Sequence, residues 1–327
     1  MKFFTYILSL SALLTLTFLG CDNDNETNPP PADSGWFIQY SGVTNNLKSV
    51  QFINLYTGFA VGNSFPVDSG KFLKTTDGGA TWINKKIGSN TNNLGGVFFF
   101  DSFTGLVCGD QGSIYKSING GNTWQSITTG ATNILTSILF RNINTGFVTG
   151  YGGTILKTTT SGDSWQLLTV PTSSDLYSIS FSSSIEIFTA GTTGTILYSN
   201  DNGSFWSLIP TGTSSNLSCI RFVNDSTGFA SGANGTIIKT TNKGDNWIVS
   251  NSGSASWLSS LFFISELTGV AAGDFGTIIR TSNGGTNWEN VYSPTGNFLR
   301  NIFFADYYNG WAVGENGTIT HTNNGIY

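Results

Sequence analysis

The chain repeats one frame seven times. Leu47, Leu94, Leu135, Leu176, Leu217, Leu258 and Leu299 recur in step with Phe52, Phe99, Phe140, Phe181, Phe222, Phe263 and Phe304. Gly62, Gly109, Gly150, Gly191, Gly232, Gly273 and Gly314 keep the same step. The first Phe spacing is 47 residues and the other five are 41. A unit of this length leaves an apolar face open on its own and becomes stable by stacking on its neighbours. The repeat therefore describes one domain, although 327 residues would suffice for two.

Within a unit the pattern predicts four short strands. Leu, an aliphatic residue three positions on and Phe five positions on mark the first, as in Leu217, Ile220 and Phe222. Asn or Asp then opens a turn, at Asn54, Asp101, Asn142, Asn224 and Asp306, because these side chains hydrogen-bond nearby backbone. A Gly-Phe-Ala-Val-Gly segment such as 58–62 is the second strand. A further Gly three residues later, present in six of seven units, predicts a hairpin whose glycines supply positive φ. In the first unit that Gly is displaced to Gly70 by an insert over 63–69. The third strand is of the Gly-Thr-Ile-Ile-Lys-Thr type. An eight-residue box follows, and its Trp starts the fourth strand. Four strands and a period near 41 residues predict propeller blades.

The two ends complete each other. The seventh unit stops inside its box, at Thr322 to Tyr327, before any Trp. Trp36 lies sixteen residues before Phe52, the distance that also separates Trp124 from Phe140 and Trp165 from Phe181. Residues 36–40 would thus supply the outer strand of the last blade and remove the open seam of the ring. The expected fold is all-β: a single seven-bladed β-propeller over 34–327, closed by its N-terminal strand.

Composition narrows the chemistry. Forty-one glycines, about one residue in eight, have no every-third-residue period, which excludes a collagen-like rod. Aromatics at 14 % exclude a disordered chain. Charged residues at 10 % and a pI near 4.7 leave no basic patch for nucleic acid. One His and three Cys, without acids at ligand spacing, predict neither a metal site nor a disulfide scaffold. No cofactor is expected.

The boxes read TTDGGATW (75–82), SINGGNTW (117–124), TTTSGDSW (158–165), SNDNGSFW (199–206), TTNKGDNW (240–247) and TSNGGTNW (281–288). Their pattern, Ser/Thr-x-Asp/Asn-x-Gly-x-Ser/Thr-Trp, resembles the Asp-box or bacterial neuraminidase repeat, and is similar to repeats of sortilins and some glycoside hydrolases. The whole unit most resembles the photosystem II stability and assembly factor family of cyanobacteria and plastids, over nearly all of the chain beyond residue 33. That resemblance implies a binding or assembly propeller. Thr160 replaces the box acid, and Phe205, Asn246 and Asn287 replace the Ser/Thr. Such drift suits a structural turn. Asp77, Asn119, Asp201, Asn242 and Asn283 are expected to cap their own turns, while Trp82, Trp124, Trp206, Trp247 and Trp288 pack between blades.

The first 33 residues carry an address. Lys2, an apolar run from Phe3 to Leu19 and Cys21 after Gly20 resemble a bacterial lipoprotein signal, with residues 1–20 removed and Cys21 lipidated. An ordinary signal peptide or a single anchor is the alternative. Residues 21–33, acidic and Pro-rich, form an extended tether. The expected location is an outer membrane, on its periplasmic or cell-surface side, and the expected state is a monomer.

Candidate chemistry lies elsewhere. Lys74, Lys116, Lys157, Tyr198, Lys239, Arg280 and His321 share one frame on the third strand, and their stems are expected to pack on aromatic rings. Cys108 and Cys219 fall in blades too far apart to pair, so both are expected as buried free thiols. Sialidases resemble the chain in their boxes but use three Arg on the substrate carboxylate, and of Arg141, Arg221, Arg280 and Arg300 only Arg300 is expected on the ligand face. Trp257, Phe298, Arg300, Asp274, Phe275, Glu315, Lys48 and the insert are expected to gather there in one sector over blades six, seven and one. Tyr177 is a further candidate on that face. Two functions remain. One is a non-enzymatic propeller recognising a protein segment or an envelope glycan through aromatics beside Arg and acids. The other is a glycoside hydrolase or carbohydrate-binding propeller using Asp274 and Glu315, with Trp257 and Phe298 stacking on sugar. The turns that hold the two acids show nothing that would raise either pKa.

Overall fold

The computed structural model describes residues 35–63, 70–87 and 92–325. The leader over 1–20, Cys21, the tether over 21–33 and residues 64–69 of the insert lie outside the described residues. The described residues form seven antiparallel sheets of four strands each. Six sheets take all four strands from one repeat unit. The seventh takes its outer strand from Trp36–Gln39, which pairs with Ile319–Thr322 in the register Trp36 to Thr322 and Gln39 to Ile319. First strands of consecutive blades touch around the ring, and the first blade touches the seventh. This is the closed seven-bladed propeller that the repeat predicts.

Apolar side chains from adjacent blades interlock to hold the ring together. The strand-two aromatic of one blade lies on the strand-one Phe of the next: Phe59 on Phe99 at 3.6 Å, Phe188 on Phe222 at 4.1 Å, Phe229 on Phe263 at 4.2 Å, and Trp311 on Phe52 at 3.6 Å. Each such Phe can lie flat because the residue beneath it in its own blade is Gly. A Cβ on Gly228 would lie 2.8 Å from the Phe222 ring. Blade four shows the rule by exception. Ile187 stands in the Gly position, and Phe181 meets Phe147 edge-on at 5.9 Å and 63°, with the Arg141 guanidinium 4.4 Å above it. Each box Trp then closes the layer, as Trp82 does edge-on to Phe52 at 5.8 Å.

The boxes act as turns. Asp77 Oδ1 accepts from the Thr81 N–H at 2.9 Å and the Thr75 hydroxyl at 2.7 Å, and Asn119 Oδ1 accepts from the Thr123 N–H at 2.9 Å. The third-strand cations link each box to the blade before it. Lys157 lies over Phe147 of its own blade while its Nζ donates to the Asn202 carbonyl of the next box at 2.7 Å. Lys74 and Lys239 repeat this with Gly120 and Gly284 at 3.1 and 2.7 Å. The stems of Lys74, Lys157 and Lys239 pack on rings as expected, and their heads have a structural task as well; Lys116 stands opposite Leu106 instead and pairs with Asp163 at 2.6 Å.

The turn between strands two and three corrects the sequence expectation. The first Gly of Gly-x-x-Gly has extended backbone, with φ −176° at Gly232. It is Gly because a Cβ there would meet the Asn216 carbonyl oxygen at 1.8 Å. Positive φ falls instead on the second Gly and on the residue before it: Gln111, Thr193, Asn234, Phe275 and Asn316 all adopt it, at 53° to 57°. Close approach to the preceding strand, more than left-handed geometry, selects the first glycine.

Candidate functional site at the mouth of the channel

A recurring bulge builds the site. In every blade the pairing of strands one and two slips between the repeat Leu and the residue two positions on, for example from Leu47–Gly62 to Ser49–Val61. The residue between is left out of the ladder, and a bulge of this kind re-aims a side chain. Lys48, Gly95, Thr136, Tyr177, Ser218, Ser259 and Arg300 occupy that position, and all seven line a cavity of about 440 Å³ at the mouth of the central channel. Below them Ser178 and Ser260 lie on the bore and are spent on blade-to-blade contacts. Ser178 Oγ accepts from Ile220 N at 3.1 Å, and Ser260 Oγ from Ile302 N at 3.3 Å.

The residue before the repeat Leu sets the rim. In three blades it is polar and caps the turn of the previous blade: Asp175 Oδ1 accepts from Gly152 N at 2.9 Å, Asn216 Oδ1 from Thr193 N at 2.9 Å, and Asn46 Oδ1 from Asn316 N at 3.1 Å, whereas Asn93 donates to Asp110 in the turn of its own blade at 2.8 Å. Ile134, Trp257 and Phe298 hold the same position without an acceptor. They turn that part of the rim apolar.

The expected sector forms in part. Arg300 donates to Asp274 Oδ1 at 3.2 Å and to Glu315 Oε1 at 2.5 Å. Its guanidinium lies 5.1 Å from the Phe298 ring, which meets Phe275 edge-on at 4.9 Å. One chain of contacts thus joins five of the expected residues. Yet Asp274, Phe275, Phe298 and Glu315 do not line the cavity; Lys48, Tyr177, Trp257 and Arg300 do. Asp274, Phe275, Phe298 and Glu315 form a shoulder outside the mouth, with Phe275 71 % exposed. Trp257 stands apart from that chain and donates through Nε1 to Ser218 Oγ at 2.5 Å.

Electrostatics differ across the mouth. Burial, then repulsion from Arg300, push the Lys48 ammonium below its usual pKa, while Glu315 opposes them. Burial raises the Asp274 carboxyl; Arg300 counters this and Glu315 adds to it. The sequence offered no sign of that shift, because it arises from a shoulder assembled by two turns and a strand. On the far side Tyr177 meets Tyr151 at 6.0 Å, and burial, Tyr151 and Asp175 push the Tyr177 hydroxyl up to about 12. Asp110, Tyr151, Ile134 and Asn93 also line the cavity and were not singled out from the sequence. Tyr151 beside Tyr177 in consecutive units was the available signal.

A glycosidase needs a sugar bond between its two carboxyl groups. Here one guanidinium fills the space between Asp274 and Glu315 and binds both. Among the described residues no group of three His, Cys, Asp or Glu could hold a metal ion.

Comparison with known proteins places this geometry in context. The family model described as photosynthesis system II assembly factor YCF48 matches residues 122–215 and 160–241. No curated protein matches the chain. Among solved structures, one titled YCF48 bound to D1 peptide is similar at TM-score 0.76 and 19 % identity, covering 90 % of this chain and 96 % of that one. YCF48 from Cyanidioschyzon merolae is similar at TM-score 0.72 and 19 % identity, covering 88 % and 98 %. The WD40 β-propeller domain of Doa1 is similar at TM-score 0.68 and 13 % identity, covering 87 % and 96 %. These likenesses bear out the β-propeller fold, and the matched stretch of the chain is similar to the photosystem II assembly factor repeats.

Proposed function

We propose that this propeller is a protein-binding module that acts by recognition and carries out no covalent chemistry. The channel mouth is the binding site, and the occupant is a segment of another protein. The carrying observation is the bulge ring, which aims Lys48, Tyr177 and Arg300 into one cavity of about 440 Å³ with Trp257 on its wall. A cavity of that size takes a few side chains, and half-buried aromatic and Arg side chains are the usual anchors of such sites. The similar structure that holds a D1 peptide supports the class of ligand. We further propose that the chain is exported and held on an outer membrane by lipid on Cys21. The signal-like run and the tether after it support this.

The test is cross-linking capture from native membranes, with Trp257→Ala and Arg300→Ala alongside the parent chain. Each substitution is expected to lower recovery of the specific partner about tenfold or more. Recovery of the same partners by both variants would place the site elsewhere. Hydrolysis of a glycan by the purified protein at an enzymatic rate would overturn the binding function. For the anchor, Cys21→Ser is expected to move the protein from the membrane to the soluble fraction.

A further inference from the structure

The mouth carries charges of opposite sign at separate points of its rim. In a closed ring of seven blades, blades three and four lie across the axis from blades seven and one. Arg300 and Lys48 stand on the latter pair. Arg300 is matched by Asp274 and Glu315, whereas Lys48 has no ion-pair partner among the described residues. Tyr151 and Tyr177 stand on the former pair, and Asp110 of blade two lines the cavity beside them. Asp110 likewise has no ion-pair partner among the described residues, and its Oδ2 accepts only a neutral amide, Asn93 Nδ2 at 2.8 Å. Two charges of opposite sign, neither with an ion-pair partner among the described residues, thus look into one cavity from the neighbouring blades one and two.

Each side has its own chemistry. A carboxylate beside two tyrosine rings suits a cation, which gains a charge-assisted hydrogen bond and the attraction of the ring faces. An unpaired ammonium, partly withdrawn from water beside a second cation, suits a carboxylate. Resting on the peptide-binding function proposed above, we propose that the mouth takes a segment with a basic side chain lodged against Asp110, Tyr151 and Tyr177 and a carboxylate directed at Lys48. The two charges also fix the direction in which the segment lies, since reversing it would set like charges together. A neutral glycan would match neither side.

The experiment uses an array of hexapeptides in which two positions vary among Lys, Asp and Gln, probed with the full chain, Asp110→Asn and Lys48→Met. Peptides carrying one Lys and one Asp in a single order are expected to bind about tenfold better than those with the order reversed. Asp110→Asn is expected to erase the preference for Lys and keep that for Asp, and Lys48→Met to do the converse. Binding that tracks neither charge, yet is lost with Trp257→Ala, would overturn the polarity and leave peptide binding standing. Failure of every hexapeptide to bind would overturn both. Matching thermal unfolding of the variants and the parent chain separates these outcomes from loss of fold.

Discussion

His321 lies flat on Trp311, with ring centroids 4.4 Å apart and planes 3° from parallel. Both belong to the blade that closes the ring. Phe37 of the N-terminal strand covers His321 edge-on at 5.0 Å, Gln39 Nε2 lies 3.2 Å from its Nδ1, and its buried Nε2 has no partner. Burial pushes its pKa down to about 4. The folded chain therefore binds fewer protons at this site than the unfolded chain, whose imidazole has the ordinary value near 6.5. The stabilisation from a neutral His321 is complete above that value, declines as pH falls below it, and is gone below the folded value. Between pH 7.5 and 5 the expected loss is about 2 kcal/mol. Urea unfolding at the two pH values measures it. His321→Phe is expected to flatten the dependence, and an equally steep loss in that variant would remove His321 as its source.

Two glycines should respond differently to alanine. A Cβ on Gly232 would strike the Asn216 carbonyl, while one on Gly253 meets nothing within 4 Å and suffers only from its φ of +67°. Gly253→Ala is expected to cost about 1 kcal/mol. Gly232→Ala is expected to cost about 3 kcal/mol or more, because two backbones must part. Chemical denaturation orders the pair, and equal costs would refute close approach as the reason for the first glycine of the turn.

The box acid should be exchangeable for an amide. Asn119 reproduces the bonds of Asp77, accepting the Thr123 N–H and donating to its hydroxyl at 2.8 Å. Asp77→Asn is expected to stay within about 0.5 kcal/mol of the parent, and Asp77→Ala to lose about 1–2 kcal/mol as the turn loses its acceptor. A large loss on Asp77→Asn would mean that the charge itself is required.

Cys108 is fully buried, and burial pushes its thiol up to about 12. Thiolate is the reacting form. Mass-spectrometric footprinting with iodoacetamide at pH 8 is expected to leave Cys108 unlabelled in the folded chain and to label it in denaturant. Rapid labelling of the folded chain would mean that the blade opens locally.

Most of the fold was legible because each blade restates the same constraints. A Leu, a Phe and two Gly in one frame locate strands, turns and closure, and Trp36 placed sixteen residues before Phe52 identified the seam that the structure shows. The site was legible only in part. Lys48, Tyr177 and Arg300 could be picked out because they depart from the repeat at a single position. That this position is a bulge facing the axis depends on strand register, which the spacing of Leu and Phe leaves unchanged. Asp110 and Tyr151 reach the mouth from turns of two different blades. Their approach to Tyr177 is set by curvature of the ring, and the only trace of it in the repeat is the placing of Tyr151 and Tyr177 in consecutive units. Asp274 and Glu315 were found, but their shared contact with Arg300 places them on the shoulder.

The seam also sets an order of events. Gln39 and His321, which meet across it, are 282 residues apart in the chain. As the polypeptide emerges from its N-terminus, each new unit can settle against the one before it, and the growing arc keeps one outer strand waiting without a partner. An exposed strand edge invites pairing with another chain. The entropy of closing so long a loop rises only with the logarithm of its length, so the hazard is the waiting time and not the closure. Slow synthesis would prolong it, and a truncation before Ile319 would make it permanent.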